Sequence, residues 1–155
     1  MNVLLADDHS MVRQGIRVYL ESKSINIVGE AINGLLAVEM ASELQPDVVI
    51  MDIHMPELTG IEATRRILFN NPDIRILVLT AYDTPAYVHA LLDAGADGFI
   101  LKTAEFDELY RALQEVAVGR TAFDDDLMAK IAQSVDEQRT QIETLTKREI
   151  EILTH

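Results

Sequence analysis

The chain has 155 residues, enough for one domain of ordinary size plus an appendage, and its 48% apolar and 25% charged residues can fill a core. Its 26 acidic residues against 13 basic ones leave a formal charge of −13, which argues against this chain alone gripping a polyanion. Cysteine is absent, which removes disulfides, thiolate zinc sites and thiol catalysis.

The first apolar run, Val3-Leu4-Leu5-Ala6, is a strand that two aspartates follow at once, too short for a signal peptide. A helix follows, with Val12, Ile16, Tyr19 and Leu20 spaced i, i+4, i+7, i+8. Further strands are expected over residues 25–29, 48–51, 74–79 and 98–101. The third and fourth are nearly all apolar, as suits strands buried on both faces, whereas the alternation of Ile25, Asn26 and Ile27 suits an edge. Pro46 and Pro72 stand just before strands, where a helix has already ended. Thr84-Pro85 has the form of an N-cap with proline at the first helical position. Phe106, Leu109, Leu113, Val116 and Ala117 mark the last helix of the repeating pattern.

Five strand-plus-helix units in series imply right-handed crossovers and a doubly wound α/β domain over residues 1–119. Its expected form is a five-stranded parallel sheet with helices on both faces. After Gly119 the composition changes. Asp124, Asp125 and Asp126 cap a linker helix striped with Leu127, Met128, Ile131, Ala132 and Val135, within a linker over residues 120–144. Residues 145–155 start another helix, where Thr146-Lys147-Arg148-Glu149 has capping-box spacing. No apolar run approaches the roughly 20 residues of a membrane helix, so a soluble cytoplasmic protein is expected.

In an open parallel sheet ordered 2-1-3-4-5, the carboxyl ends of strands 1 and 3 border the ligand crevice. Asp7 and Asp8 follow the first strand and Asp52 the third, so three carboxylates converge. Their repulsion calls for a cation, and an all-oxygen acidic site suits Mg²⁺ or Mn²⁺. Thr80 ends the fourth strand and Lys102 follows the fifth, at the same edge. A carboxylate nucleophile, an ammonium, a hydroxyl and a divalent cation are the parts needed to transfer and hold a phosphoryl group. Each residue alone has an ordinary reading as a turn, a cap or a solvated strand end. Five suitable residues, of three types, ending strands on one edge favour chemistry. The remaining histidines show no metal-ligand spacing, and His9 and His89 read as packing or solvent-exposed residues.

Four motifs carry a resemblance: Leu4-Leu5-Ala6-Asp7-Asp8-His9, Met51-Asp52-Ile53-His54-Met55-Pro56-Glu57-Leu58-Thr59-Gly60, Leu79-Thr80-Ala81, and Gly95-Ala96-Asp97-Gly98-Phe99-Ile100-Leu101-Lys102. In order and spacing they resemble the receiver domain of two-component response regulators, a flavodoxin-like fold. Leu145-Thr146-Lys147-Arg148-Glu149-Ile150-Glu151-Ile152-Leu153 is similar to the start of a LuxR-type helix-turn-helix domain, pointing to the NarL/FixJ subfamily and to a DNA-binding domain cut short.

The resemblance implies that Asp52 accepts a phosphoryl group from a sensor histidine kinase. It also implies that Asp8, Asp52 and the His54 backbone carbonyl bind Mg²⁺, with Asp7 acting largely through water. Lys102 and Thr80 would hold the phosphoryl oxygens, Phe99 would be the aromatic switch, and Ala81 would leave room for the incoming group. His54 and Tyr82 sit where the family tunes hydrolysis. Thr103 follows the lysine where the family often has a cis-proline, and a non-proline cis bond costs roughly 3 kcal/mol. The expectation is a switch rather than a multi-turnover enzyme, homodimeric on phosphorylation, reaching DNA only through its C-terminal domain. An aspartyl phosphohydrolase would carry a second acid where His54 stands, and a stand-alone receiver would lack the linker helix.

Overall fold

In the computed structural model, residues 1–81, 85–123 and 129 are described, the side chains of 82–87 excepted. The chain divides into two units, Met1–Phe123 and Asp124–His155. Of the second, only the exposed helical residue Ala129 is described. Tyr82, the Thr84 cap, most of the expected linker helix and the segment over 145–155 lie outside the described residues.

The first unit alternates strand and helix: β1 (Asn2–Ala6), α1 (Ser10–Ser22), β2 (Asn26–Ala31), α2 (Gly34–Leu44), β3 (Val48–Asp52), α3 (Gly60–Asn70), β4 (Arg75–Thr80), α4 (Pro85–Ala94), β5 (Gly98–Leu101), α5 (Phe106–Ala117) and β6 (Ala122–Phe123). The strands form a sheet ordered β2-β1-β3-β4-β5-β6, parallel at every pairing. β2 is an edge, as its alternation suggests. The sheet continues past Gly119, because β6 pairs Ala122 with Gly98 and Phe123 with Phe99. The Phe99 and Phe123 rings lie 4.8 Å apart and tilted.

Helices cover both faces: α1 packs on α5, while α2 packs on α3 and α3 on α4. Every residue of β3 is buried. Along β1 the pleat sends Val3 and Leu5 into the core shared with Ile16 and Leu20 of α1 and with Leu109, Leu113 and Val116 of α5. Phe106, read as part of the α5 apolar stripe, keeps 43% of its surface exposed and lies 5.1 Å from the Tyr19 ring. Local chemistry sets the helix starts. Asn33 accepts a hydrogen bond from the Leu36 N–H at 2.8 Å, and Thr59 accepts one from Glu62 at 3.3 Å with Glu62 three residues into the cap.

Register places the site. Ala6 stands opposite Met51 and Asp52 opposite Leu79, so the chain leaving β1 emerges beside the end of β3. The return from β3 is tight: Gly60 donates its N–H to the Ile53 carbonyl at 2.8 Å. A Cβ on Gly60 would stand 2.1 Å from the Asp52 carbonyl oxygen. The next nearest atoms are also backbone, of Asp52 and Ile53, and leave little room to yield.

Two glycine substitutions should therefore have opposite signs in urea unfolding. Gly60→Ala should destabilise by about 1–3 kcal/mol, since the backbone bearing Asp52 must shift. Gly15→Ala in α1, whose Cβ would meet nothing nearer than Phe106 at 3.4 Å, should stabilise by about 0.5–1 kcal/mol.

Candidate functional site

Five polar side chains gather at the carboxyl ends of β1, β3 and β5. Asp7 and Asp52 are buried almost completely, and Lys102, from the segment after β5, lies between them. Its Nζ donates to Asp52 Oδ2 at 2.9 Å and stands 3.2 Å from Asp7 Oδ2. The Lys102 N–H donates to the Thr80 carbonyl at 2.7 Å, which ties the lysine to the tip of β4. Thr80 itself is buried there. The described residues contain no cis peptide bond, so Lys102–Thr103 is trans.

The loop from β1 to α1 is fixed at several points. The Asp7 N–H donates to Ala31 of β2 at 3.0 Å, and Asp7 Oδ1 accepts the His9 N–H at 2.8 Å. Arg13 of α1 donates Nη1–H to the Asp7 carbonyl at 2.8 Å. Glu30 of β2 holds Arg13 at 3.4 Å, and its other oxygen accepts from Arg17 at 2.5 Å. One guanidinium thus clamps the backbone that carries Asp7 and Asp8. Sequence pattern gives no hint of this, because the contact is to a main-chain atom six residues away.

Of the residues singled out in the sequence, Asp7, Asp8, Asp52 and Lys102 come together. Thr80 lies at the same edge, next to Leu79, which pairs with Asp52. Ala81 is exposed just beyond it. His54 is exposed, and its backbone N–H reaches Asp52 Oδ1 at 3.4 Å. Phe99 is fully buried in β5 against Phe123. His9, read as packing or solvent-exposed, is exposed over most of its side chain yet joins the acids. Its Nδ1 is 3.1 Å from Asp7 Oδ1 and 3.2 Å from Asp8 Oδ1. Asp7, Asp8, His9 and Asp52 each offer one ligand atom within 4.8 Å of all the others.

The residues fit a divalent cation on two grounds. The donor set is mainly carboxylate oxygen, and the buried Asp7 Oδ2 has no hydrogen bond, its close neighbour being the Lys102 ammonium. Burial pushes the Asp52 carboxyl above the ordinary carboxylate range. The Lys102 hydrogen bond opposes this, and the neighbouring Asp7 charge adds to it. Burial pulls the Lys102 ammonium down, but its contacts with Asp52 and Asp7 more than reverse that, and it stays above the usual lysine value. The pocket therefore holds a cationic lysine between two crowded acids.

Residues 3–114 match the response regulator receiver domain family. The chain is 38% identical over 154 residues to the response regulator protein VraR of Staphylococcus aureus, covering 99% of this chain and 74% of that protein. A crystal structure of a LuxR-family two-component response regulator from Aurantimonas sp. SI85-9A1 superposes with a TM-score of 0.81 at 34% identity, covering 86% of this chain and 96% of that one. The isolated receiver domain of RcsB from Salmonella enterica serovar Typhimurium, in the presence of the phosphomimetic BeF3⁻, gives 0.76 at 32% identity, with coverages of 83% and 96%.

The raised Asp52 carboxyl has a consequence for stability. The folded state takes up a proton there more readily than the unfolded chain, so this contribution is lost as pH rises from the ordinary carboxylate range through the folded-state value. At neutral pH without divalent cation, Asp52→Asn should melt above wild type, by about 2–4 °C for each kcal/mol relieved. The gap should close as pH is lowered into the acid range. A variant no more stable than wild type at neutral pH would show that Lys102 fully offsets the burial of Asp52.

Proposed function

The chain belongs to the response regulator receiver domain family, and from that premise we propose that Asp52 is its phospho-acceptor and that phosphorylation sets its output. It is the receiver domain of a two-component response regulator with LuxR-family homologues. The observation that carries the assignment of Asp52 is its place: a buried carboxylate at the end of β3, bonded to Lys102 and beside a second buried acid.

In the transfer, an Asp52 carboxylate oxygen attacks the phosphorus of a phosphohistidine on a sensor kinase. The new O–P bond forms as the P–N bond breaks, and the imidazole leaves with the electron pair. Lys102 lies where negative charge gathers on the phosphoryl oxygens and can pair with them. Asp8, Asp52 and the His54 carbonyl would hold a divalent ion, Mg²⁺ or Mn²⁺, with Asp7 acting largely through water, and that ion would supply further charge neutralisation. The Thr80 hydroxyl, at the tip of β4, binds one phosphoryl oxygen. The exposed Ala81 side chain leaves the approach open. His54 and Tyr82 restrict water at the phosphate and prolong its lifetime.

Phosphorylation then changes a two-state surface. Thr80 moves toward the phosphate and self-association alters, while Phe99, the expected aromatic switch, already lies inward against Phe123. Response regulators of this family work with histidine kinases and dimerise. In this chain we assign a homodimer formed on phosphorylation. The receiver, expected from the sequence over residues 1–119, takes in β6 and runs to Phe123; the linker continues to 144, and the helix-turn-helix domain begun at 145–155 is the part that reaches DNA. The protein acts as a switch, with slow self-dephosphorylation rather than turnover of an external substrate. We place it in the cytoplasm. Among the described residues no helix is long and apolar enough to cross a membrane.

Incubation with acetyl phosphate and Mg²⁺, followed by intact-mass measurement, tests the acceptor. Wild type should gain one phosphoryl group, about 80 Da, and lose it again on chelation and prolonged incubation. Asp52→Asn should gain none. An adduct of equal yield on the variant would place the chemistry elsewhere.

A further inference from the structure

The phosphoryl-transfer reading gives no part to Arg13, yet its side chain is just 15% exposed and is turned onto the loop that carries the acids. Its Nη1–H donates to the Asp7 carbonyl at 2.8 Å, and its backbone N–H donates to the His9 carbonyl at 3.0 Å. One residue of α1 thus holds the chain on either side of Asp8. Glu30 of β2 aims the guanidinium, with Oε1 3.4 Å from Nε, while Arg17 holds the other carboxylate oxygen at 2.5 Å. β2 also anchors the loop directly, since the Ala31 carbonyl accepts the Asp7 N–H at 3.0 Å.

What this fixes is the direction of the Asp8 side chain. The direction of a Cβ follows from the peptide planes that flank its Cα, because each plane is rigid. The plane between Asp8 and His9 is held by the His9 N–H on Asp7 Oδ1 at 2.8 Å. The plane between Asp7 and Asp8 is held through its carbonyl by Arg13. Asp7 is packed in the core and faces Lys102, which sets its side chain independently. Asp8 is 32% exposed over its side chain, with the exposed His9 ring beside it at 3.2 Å, so backbone direction sets where its carboxylate lies. A charge-assisted bond is the stronger kind, and a planar guanidinium can serve a carbonyl and a carboxylate at once where an ammonium acts as a single point.

We propose that Arg13, aimed by Glu30, is the positioning residue that turns Asp8 toward the divalent ion. It touches neither the ion nor the phosphoryl group and acts through the Asp7–Asp8 peptide. The proposal rests on the reading that Asp8 helps to hold that ion. Charge and position predict opposite signs here. Removing a cation beside the acidic loop would by charge alone tighten the binding of a divalent ion. Losing the aim of Asp8 loosens it.

Calorimetric titration of the 155-residue chain with MgCl₂ reads the sign, using wild type, Arg13→Met, Arg13→Lys and Asp52→Asn. Val116→Ala, in the core near the other end of α5, controls for lost stability remote from the site. Arg13→Met should bind Mg²⁺ on the order of tenfold more weakly, with Arg13→Lys between it and wild type and Val116→Ala unchanged. The Mg²⁺ concentration that gives half the maximal rate of phosphorylation by acetyl phosphate should rise in the same ratio, while the rate at saturating Mg²⁺ stays within about twofold. Arg13→Met binding Mg²⁺ as tightly as wild type, or more tightly, would overturn the proposal, as would an equal loss in Val116→Ala. If Arg13→Met does not fold, Arg13→Lys decides, because it keeps the charge: weaker binding supports the positioning role and wild-type affinity overturns it. Wild type that binds no Mg²⁺, with Asp52→Asn behaving the same, would overturn the cation reading and this proposal together.

Discussion

Lys102 holds Asp7 and Asp52 together. Two carboxylates removed from water side by side repel each other and lose hydration, and the ammonium 2.9 Å from one and 3.2 Å from the other offsets both effects. Removing the cation from a buried ionic cluster of this kind typically costs about 3–5 kcal/mol, because the charges left behind have no counterpart. The arrangement is also unfinished. Asp7 Oδ2 has no hydrogen bond, and the Asp52 carboxyl remains displaced toward its neutral form. A site in this condition gains from a second cation.

The fold produces this crowding through strand register. Asp7 and Asp52 meet because Ala6 pairs with Met51, and the lysine arrives because Leu101 pairs with Thr80. Backbone clamps then fix the tips: Arg13 on the Asp7 carbonyl, the Lys102 N–H on the Thr80 carbonyl, and Gly60 against the Asp52 carbonyl. These contacts belong to elements that pack from both faces of the sheet. His9, His54 and Ala81 stay open to solvent around the mouth of the site.

Much of this is legible in the amino-acid order, for a definite reason. A buried parallel strand leaves a run of β-branched and apolar residues, so its end is visible and the polar residue that follows is placed with it. Asp7, Asp52, Thr80 and Lys102 could all be assigned to one edge in that way. β6 escaped because two residues, Ala122 and Phe123, are too few to show alternation, and only pairing with Gly98 and Phe99 makes them a strand. Phe106 fits the helical period of α5 but sits at the rim, where Tyr19 covers part of one face. His9 and Arg13 were opaque for another reason. Their contacts depend on the path of the loop after β1, and a spacing of one or six residues says nothing about where a side chain turns.

The claim at the centre is that Lys102 acts as the pocket's resident cation and that a divalent ion takes over part of its work. Thermal unfolding of wild type and Lys102→Met across a Mg²⁺ titration tests it directly. Without Mg²⁺ the variant should melt well below wild type, and the difference should narrow as Mg²⁺ saturates the acids. A gap that stays constant from zero to saturating Mg²⁺, or a variant as stable as wild type in its absence, would contradict the account.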